Sequence, residues 1–292
     1  MAFARLGRTL WLVCLLALLG GCSIVKIAYR NADTLTLRWL DRYVDLDAGQ
    51  ETWAKARIVE LHAWHRATQL PVYVGLLHAH RALVQQGSMT QADVLALNAS
   101  ISAQLDAAAM KALPDLAALA LQLRPEQIGA IEAKFAKNNA DFRKDFLEVD
   151  IPQQQESRYK TVLWLAEVLF GRFSSEQEAE IRRRSDARPL MNDLWMTERS
   201  TRQRDLLALL RRIQADKPPL ESVMALLKAQ AVRATGIENI PDPADRARAE
   251  SAAAHAAQLG VAIVNMTTAE QKRRAVAKLT QWADDLSALS AE

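Results

Sequence analysis

After residue 22 the chain runs as helix-patterned stretches separated by short breakers, and no segment alternates apolar and polar residues for long enough to argue a strand. That feature restricts the fold to the all-α class: a multi-helix bundle of long antiparallel helices joined by short connections. Glycine and proline agree, at 10 and 9 residues in 292, where average usage gives about 35 together, so few positions suit tight turns or bulges. Breaks are expected at Asp45 to Gly49, Gln86 to Met89, Leu113-Pro114, Leu123 to Pro125, Asp150 to Pro152, Gly171 to Ser175, Asp216 to Pro219, Gly236 to Pro243 and Asn265 to Thr267. Pro71 and Pro189 stand inside otherwise helical patterns, where each should end or kink a helix because proline lacks an N–H and crowds the preceding turn.

The first 22 residues carry a different signal. Arg5 and Arg8 precede an uncharged apolar run from Thr9 to Leu19, about half the roughly 20 residues a spanning helix needs, which fits an export signal better than a membrane span. The run ends in Leu19-Gly20-Gly21-Cys22, which resembles the bacterial lipobox: an aliphatic residue, two small residues, then the cysteine that is acylated. Cleavage before Cys22 leaves its thiol to carry acyl chains, and two or more such chains give stable anchoring where one gives only marginal binding. Ser23, rather than aspartate, implies by the same resemblance the outer membrane and not the inner one. Cys14 leaves with the signal and Cys22 is blocked, so no disulfide is expected and core burial must hold the fold. The expected division is a signal peptide at 1–21, a helical body at 22–235 and a C-terminal helical pair at 236–292, packed on the body or appended to it.

Charge excludes one partner class. The chain has 37 Lys and Arg against 34 Asp and Glu, and removing Arg5 and Arg8 leaves 35 against 34; that balance disfavours nucleic acid. Nine arginines cluster between Arg182 and Arg212, yet Glu178, Glu180 and Glu198 stand four residues before Arg182, Arg184 and Arg202, the favourable order for helix ion pairs. This run reads as a solvated helical face. Arg199 and Arg202, if turned toward a concave surface, would hold lipopolysaccharide phosphate or a carboxylate.

Several helix starts share one form, an apolar residue, a capping residue, and Gln, Glu or Asp three positions on: Leu46-Asp47 with Gln50, Met89-Thr90 with Asp93, Phe173-Ser174 with Gln177, Met266-Thr267 with Glu270, and a degenerate Leu123-Arg124 with Gln127. These read as capping boxes with a hydrophobic staple. Leu-Thr-x-x-Gln elements of this kind also occur in small periplasmic chaperones and metal-sensing proteins. The spacings are irregular, so no solenoid repeat is expected.

The segment from Trp53 to Tyr73 is the most distinctive. His65 falls in the stripe made by Trp53, Ile58, Leu61 and Trp64, the core-facing side, which makes it a satisfied core histidine; His62 lies at the stripe's edge, where solvent exposure is the default. The alternative is a metal site in which His62 and His65 chelate from one face and His78 folds back across a Pro71 kink. Trp64, His65, Arg66, Tyr73 and Arg199 are the candidate binding residues. Trp39 and Tyr43, four apart on one helix, suit either the core or a position against the membrane or a groove. There is no Gly-x-Ser-x-Gly and no phosphate-cradling glycine loop, so neither a catalytic residue nor a cofactor is expected.

Together, the lipobox at Cys22, the stretch from Tyr29 to Leu46 with Arg38-Trp39-Leu40-Asp41-Arg42-Tyr43, Trp64-His65-Arg66, Leu70-Pro71 with Tyr73, the Gly171 to Gln177 turn, Trp195 and Glu198-Arg199 resemble a family of proteobacterial outer-membrane lipoproteins known only as a domain of unknown function. The likeness covers residues 1 to about 215. It implies an acylated helical envelope protein, gives no activity, and assigns a role to Cys22 alone. The resulting expectation is a non-enzymatic binding or structural protein of the cell envelope, facing the periplasm, whose partners are the membrane and an unidentified envelope component. A metal-responsive sensor or chaperone using His62, His65 and His78 stands second, and an enzyme acting on peptidoglycan or lipid third.

Overall fold

The computed structural model describes residues 23–234 and 236–292; the stretch expected to be an export signal and Cys22 lie outside them. Among the described residues the fold is eleven α-helices and one 3-10 turn, with no strand: α1 Ser23–Arg30, α2 Ala32–Val44, α3 Ala48–Gln86, α4 Gln91–Gln122, α5 Pro125–Phe146, α6 Ile151–Phe170, α7 Ser175–Ala187, α8 Asn192–Asp216, α9 Leu220–Ala234, the turn Ile237–Asn239, α10 Pro243–Met266 and α11 Ala269–Ser290.

The 39-residue α3 is the spine, about 58 Å long at 1.5 Å per residue. Gly87 ends it in the left-handed conformation, φ 79°, which glycine alone adopts without strain, and its amide caps Leu83 and Val84. Helix α11 lies along the spine, α2 packs on it, and α4 turns back from it to meet α8, α9 and α10. Apolar burial gathers in two places. Val44, Leu123, Ile128, Ile131, Ile213 and Val223 form a core near the start of α3; Val84, Phe170, Phe173, Ile181, Ile263 and Leu279 form another at its end. The C-terminal helices α10 and α11 supply much of the second core.

Two expected breaks are absent. Helix α3 runs through Pro71 and α4 runs through Pro114. Both proline rings are exposed while Leu70 and Leu113 beside them are buried. The lost backbone hydrogen bond therefore falls on the wet face of the helix, and burial on the other face keeps it continuous. Pro189, by contrast, lies in the connection between α7 and α8, and the remaining expected breaks all fall at helix ends.

The capping boxes do more than cap. Gln50, Gln127, Gln177 and Gln271 each accept, through Oε1, the backbone N–H of their own N-cap residue. Their amide groups then cross to a second helix start. Gln50 and Gln127 bond each other in both directions, at 3.3 and 2.6 Å. Gln177 and Gln271 do the same at 3.0 and 3.2 Å. Each amide also donates to the carbonyl two residues before the partner's N-cap: Gln50 to Gln122, Gln127 to Asp45, Gln177 to Met266 and Gln271 to Arg172. One such glutamine clasp joins α3 to α5 at the first core and an identical one joins α7 to α11 at the second. The fourth box is thus Thr268 with Gln271, one residue beyond the expected Thr267 with Glu270; Thr267 instead turns inward, its hydroxyl donating to Val264 O. In the first clasp Arg124 has no oxygen with which to cap its helix, and its guanidinium pairs with Asp47, the opposite N-cap.

Candidate functional site

The spacing of His62, His65 and Tyr73 on α3 places all three toward α1. There the structure adds Tyr29, which the sequence marks only as the start of the Tyr29 to Leu46 stretch and gives no role. Its hydroxyl bonds His65 Nδ1 at 2.9 Å, and His65 Nε2 bonds the Tyr73 hydroxyl at 3.3 Å. The ring of His62 lies against that of Tyr29, centroids 4.6 Å apart, and Trp64 meets His65 edge-on at 6.5 Å. Tyr29, His62 and His65 with Asp33, Thr36 and Ala108 line a cleft of about 200 Å³ where α1, α2, α3 and α4 converge. The histidine is therefore satisfied, as its stripe predicts, but by tyrosines at the edge of an open cleft. His62 departs from expectation: it is half-buried, and its Nε2 has no hydrogen-bond partner among the described residues.

Electrostatics fix the protonation of this chain of rings. Burial, and to a lesser degree the neighbouring His62, hold His65 below the usual histidine value. Burial raises Tyr29, partly offset by the charge of Arg66, and burial raises Tyr73. A neutral imidazole has one donor and one acceptor nitrogen, so one tyrosine hydroxyl donates a hydrogen bond to the ring and the other accepts one from it. Because the folded value of His65 is depressed, its contribution to stability is complete above the unfolded value of about 6.5 and is lost as pH falls through the folded one. Acidifying from pH 7.5 to 5 is expected to lower the amide protection factors of residues 23–30, with exchange corrected for the pH dependence of the intrinsic rates, and His65→Gln to flatten that dependence.

Two ion pairs complete the fastening of α1. Lys26 Nζ sits 3.0 Å from Asp285 of α11, a carboxylate that is 4% exposed, and Arg30 pairs with Glu292. Arg66 acts electrostatically on both Tyr29 and Glu292. Tyr29, Trp64, His65, Arg66 and Tyr73 are thus brought together at one junction.

Arg199 is elsewhere, on α8, its guanidinium 4.9 Å from the Trp195 ring centroid. His78 is exposed and on the same uninterrupted helix as His65, 13 residues or about 20 Å farther along. The fold-back across Pro71 that would unite it with His62 and His65 does not occur, because Pro71 leaves α3 continuous. Among the described residues no group of three or more His, Cys, Asp or Glu is arranged to hold a metal ion. Tyr43 joins the first core through Phe135 and accepts a hydrogen bond from Asn138, while Trp39 beside it is 56% exposed.

Most of the arginine run is solvated and paired, with partners partly different from those expected. Arg183 and Arg184 share Glu180, whose carboxyl the two hydrogen-bonded guanidiniums lower to about 2. Arg182 pairs with Glu156 and Asp186 instead of Glu178.

No curated protein and no solved structure matches this chain. A family model described as "Family of unknown function (DUF6279)" matches residues 42–230, from the end of α2 into α9 and more than half of the chain. That span contains the spine with His62, His65 and Tyr73, and the first glutamine clasp. The chain belongs to this family of unknown function, DUF6279.

Proposed function

We propose that this chain is a lipid-anchored helical protein of the outer membrane, facing the periplasm, and that it works by binding or by holding envelope components in place rather than by catalysis. The observation that carries the reading is the fastening of α1, the helix that follows Cys22 directly, by Tyr29 to His65, Lys26 to Asp285 and Arg30 to Glu292. A flexible leash would need no such fastening; a rigid one gives the body a fixed orientation beside whatever holds Cys22. Val25, Ile27, Leu35 and Trp39, 40 to 56% exposed, lie on the same two helices, and an exposed tryptophan suits a bilayer interface. Among the described residues no helix is long and apolar enough to cross a membrane, so acyl chains on Cys22 are the proposed attachment. His65 spends both ring nitrogens on tyrosines, a fastening role that supports the non-enzymatic reading.

The test is mass spectrometry of native protein together with alkaline carbonate washing of membranes. The N-terminal fragment is expected to begin at Cys22 and carry acyl chains, and the protein to stay in the membrane pellet. A free thiol at Cys22 in the native protein overturns the reading.

A further inference from the structure

Arg188 is an exception within the solvated arginine run. It is half-buried and, with Arg158 of α6, lines a cleft of about 390 Å³ between the end of α5, one face of α6 and the connection from α7 to α8. The volume lies in the range of small-molecule sites. Arg158 Nη1 donates to Pro189 O at 3.1 Å, and Asn192 donates to Gln154 Oε1 at 2.9 Å, so both walls are tied. The rest of the guanidinium chemistry is unspent. Arg158 Nε and Nη2 and Arg188 Nε are buried without a hydrogen-bond partner, and neither side chain forms an ion pair among the described residues. The nearby carboxylate, Asp186, holds Arg182 through Oδ2, while its Oδ1 is buried without a hydrogen-bond partner among the described residues and forms no ion pair with Arg158 or Arg188.

Arginine does not shed its proton at neutral pH, so two like charges are held beside each other, partly out of water. Burial depresses the basicity of both; on Arg158 the charge of Arg188 adds to the effect and that of Asp186 only partly opposes it. An oxyanion taken between two guanidiniums relieves the repulsion and uses their planar forks. The cleft is also graded along α6, with Gln154, Ser157 and Arg158 toward one end and Val162 and Leu165 toward the other, and Leu165 is 56% exposed.

We propose that this cleft binds a phosphate-type oxyanion carried on an apolar chain, the anion between Arg158 and Arg188 and the chain along Val162 and Leu165. The proposal rests on this cleft alone and does not depend on acylation of Cys22. The experiment is calorimetric titration of the full chain, in nanodiscs of neutral phosphatidylcholine, with hexyl phosphate, inorganic phosphate and hexanol, with empty nanodiscs subtracted. Hexyl phosphate is expected to bind one to one, at least tenfold more tightly than inorganic phosphate, and hexanol not at all. Arg158→Gln and Arg188→Gln should each weaken hexyl phosphate at least tenfold, while Arg183→Gln leaves it unchanged. Arg188→Lys keeps the charge but not the fork and should also weaken binding, which separates anion recognition from a folding defect; unchanged melting temperatures of the variants make the same point. Absence of hexyl phosphate binding, or binding indifferent to all three substitutions at 158 and 188, overturns the proposal. Equal affinity for inorganic phosphate overturns the apolar half of it and identifies a free anion as the occupant.

Discussion

Gln127→Ala is expected to lower the stability of the folded chain by about 3 kcal/mol, read as a fall in the urea midpoint. Gln127 is 2% exposed and makes four hydrogen bonds. Its Oε1 accepts from Arg124 N and Gln50 Nε2, and its Nε2 donates to Asp45 O and Gln50 Oε1. Truncation removes one partner each from Gln50 Nε2 and Oε1, which keep Gln122 O and Asp47 N–H, and strands the Arg124 N–H and the Asp45 carbonyl in a place with little water. A buried polar group left unpaired costs about 1–3 kcal/mol, more than the bond itself contributes. Gln127→Glu is the sharper variant. In an ordinary capping box glutamate serves at this position as well as glutamine, so the substitution would be neutral. In the clasp a carboxylate keeps the cap but faces Gln50 Oε1 and Asp45 O with acceptors only, and the expected loss approaches that of alanine. Thr90→Ala, in a box whose Asp93 bonds only its own cap, is the control, expected to cost about 1 kcal/mol. If Gln127→Glu melts with the parent, the cross-helix bonds contribute nothing and the clasp is only a cap.

Those three variants also mark the limit of what the sequence could reveal. Helix starts are local: Asp47, Ser174 and Thr90 announce themselves because a short polar side chain, a staple and an acceptor three residues on act within one turn. Which start faces which is not local, and nothing near Gln50 names Gln127, 77 residues away. A hint was available in residue type, since Gln50, Gln127, Gln177 and Gln271 are all amides where glutamate would cap equally well. Pro114 misled because sequence shows a missing N–H but not which face of the helix bears it. The same limit applies at the candidate site. The helical stripe placed His65 inward, but Tyr29, 36 residues upstream, carries no pattern that points to it. Arg188 was hidden among arginines with acidic neighbours, and only the fold shows it turned toward Arg158.

Lys26→Met is expected to cost about 2–3 kcal/mol, a little below the range for breaking a fully buried pair because the lysine keeps some contact with water. The Lys26 side chain is 28% exposed and that of Asp285 only 4%. Losing the ammonium leaves a carboxylate in the junction of α1 and α11 without its counter-charge, and the least costly remedy is for α1 to lift and admit water. Amide exchange across residues 23–30 should therefore accelerate by far more than in α3 or α11, while the two cores, which contain neither residue, lose no more protection than the fall in global stability accounts for. Adding Asp285→Leu to Lys26→Met should recover most of the loss, since an apolar pair of similar volume removes the stranded charge. Recovery of global stability without recovery of α1 docking would show that the charge pair positions this helix, whereas Tyr29 and His65 supply only contact. The opposite pattern, in which exchange of residues 23–30 is the same in Lys26→Met as in the parent, means that α1 is not held by Asp285. The orientation of the body relative to Cys22 would then rest on Tyr29 and Arg30 alone.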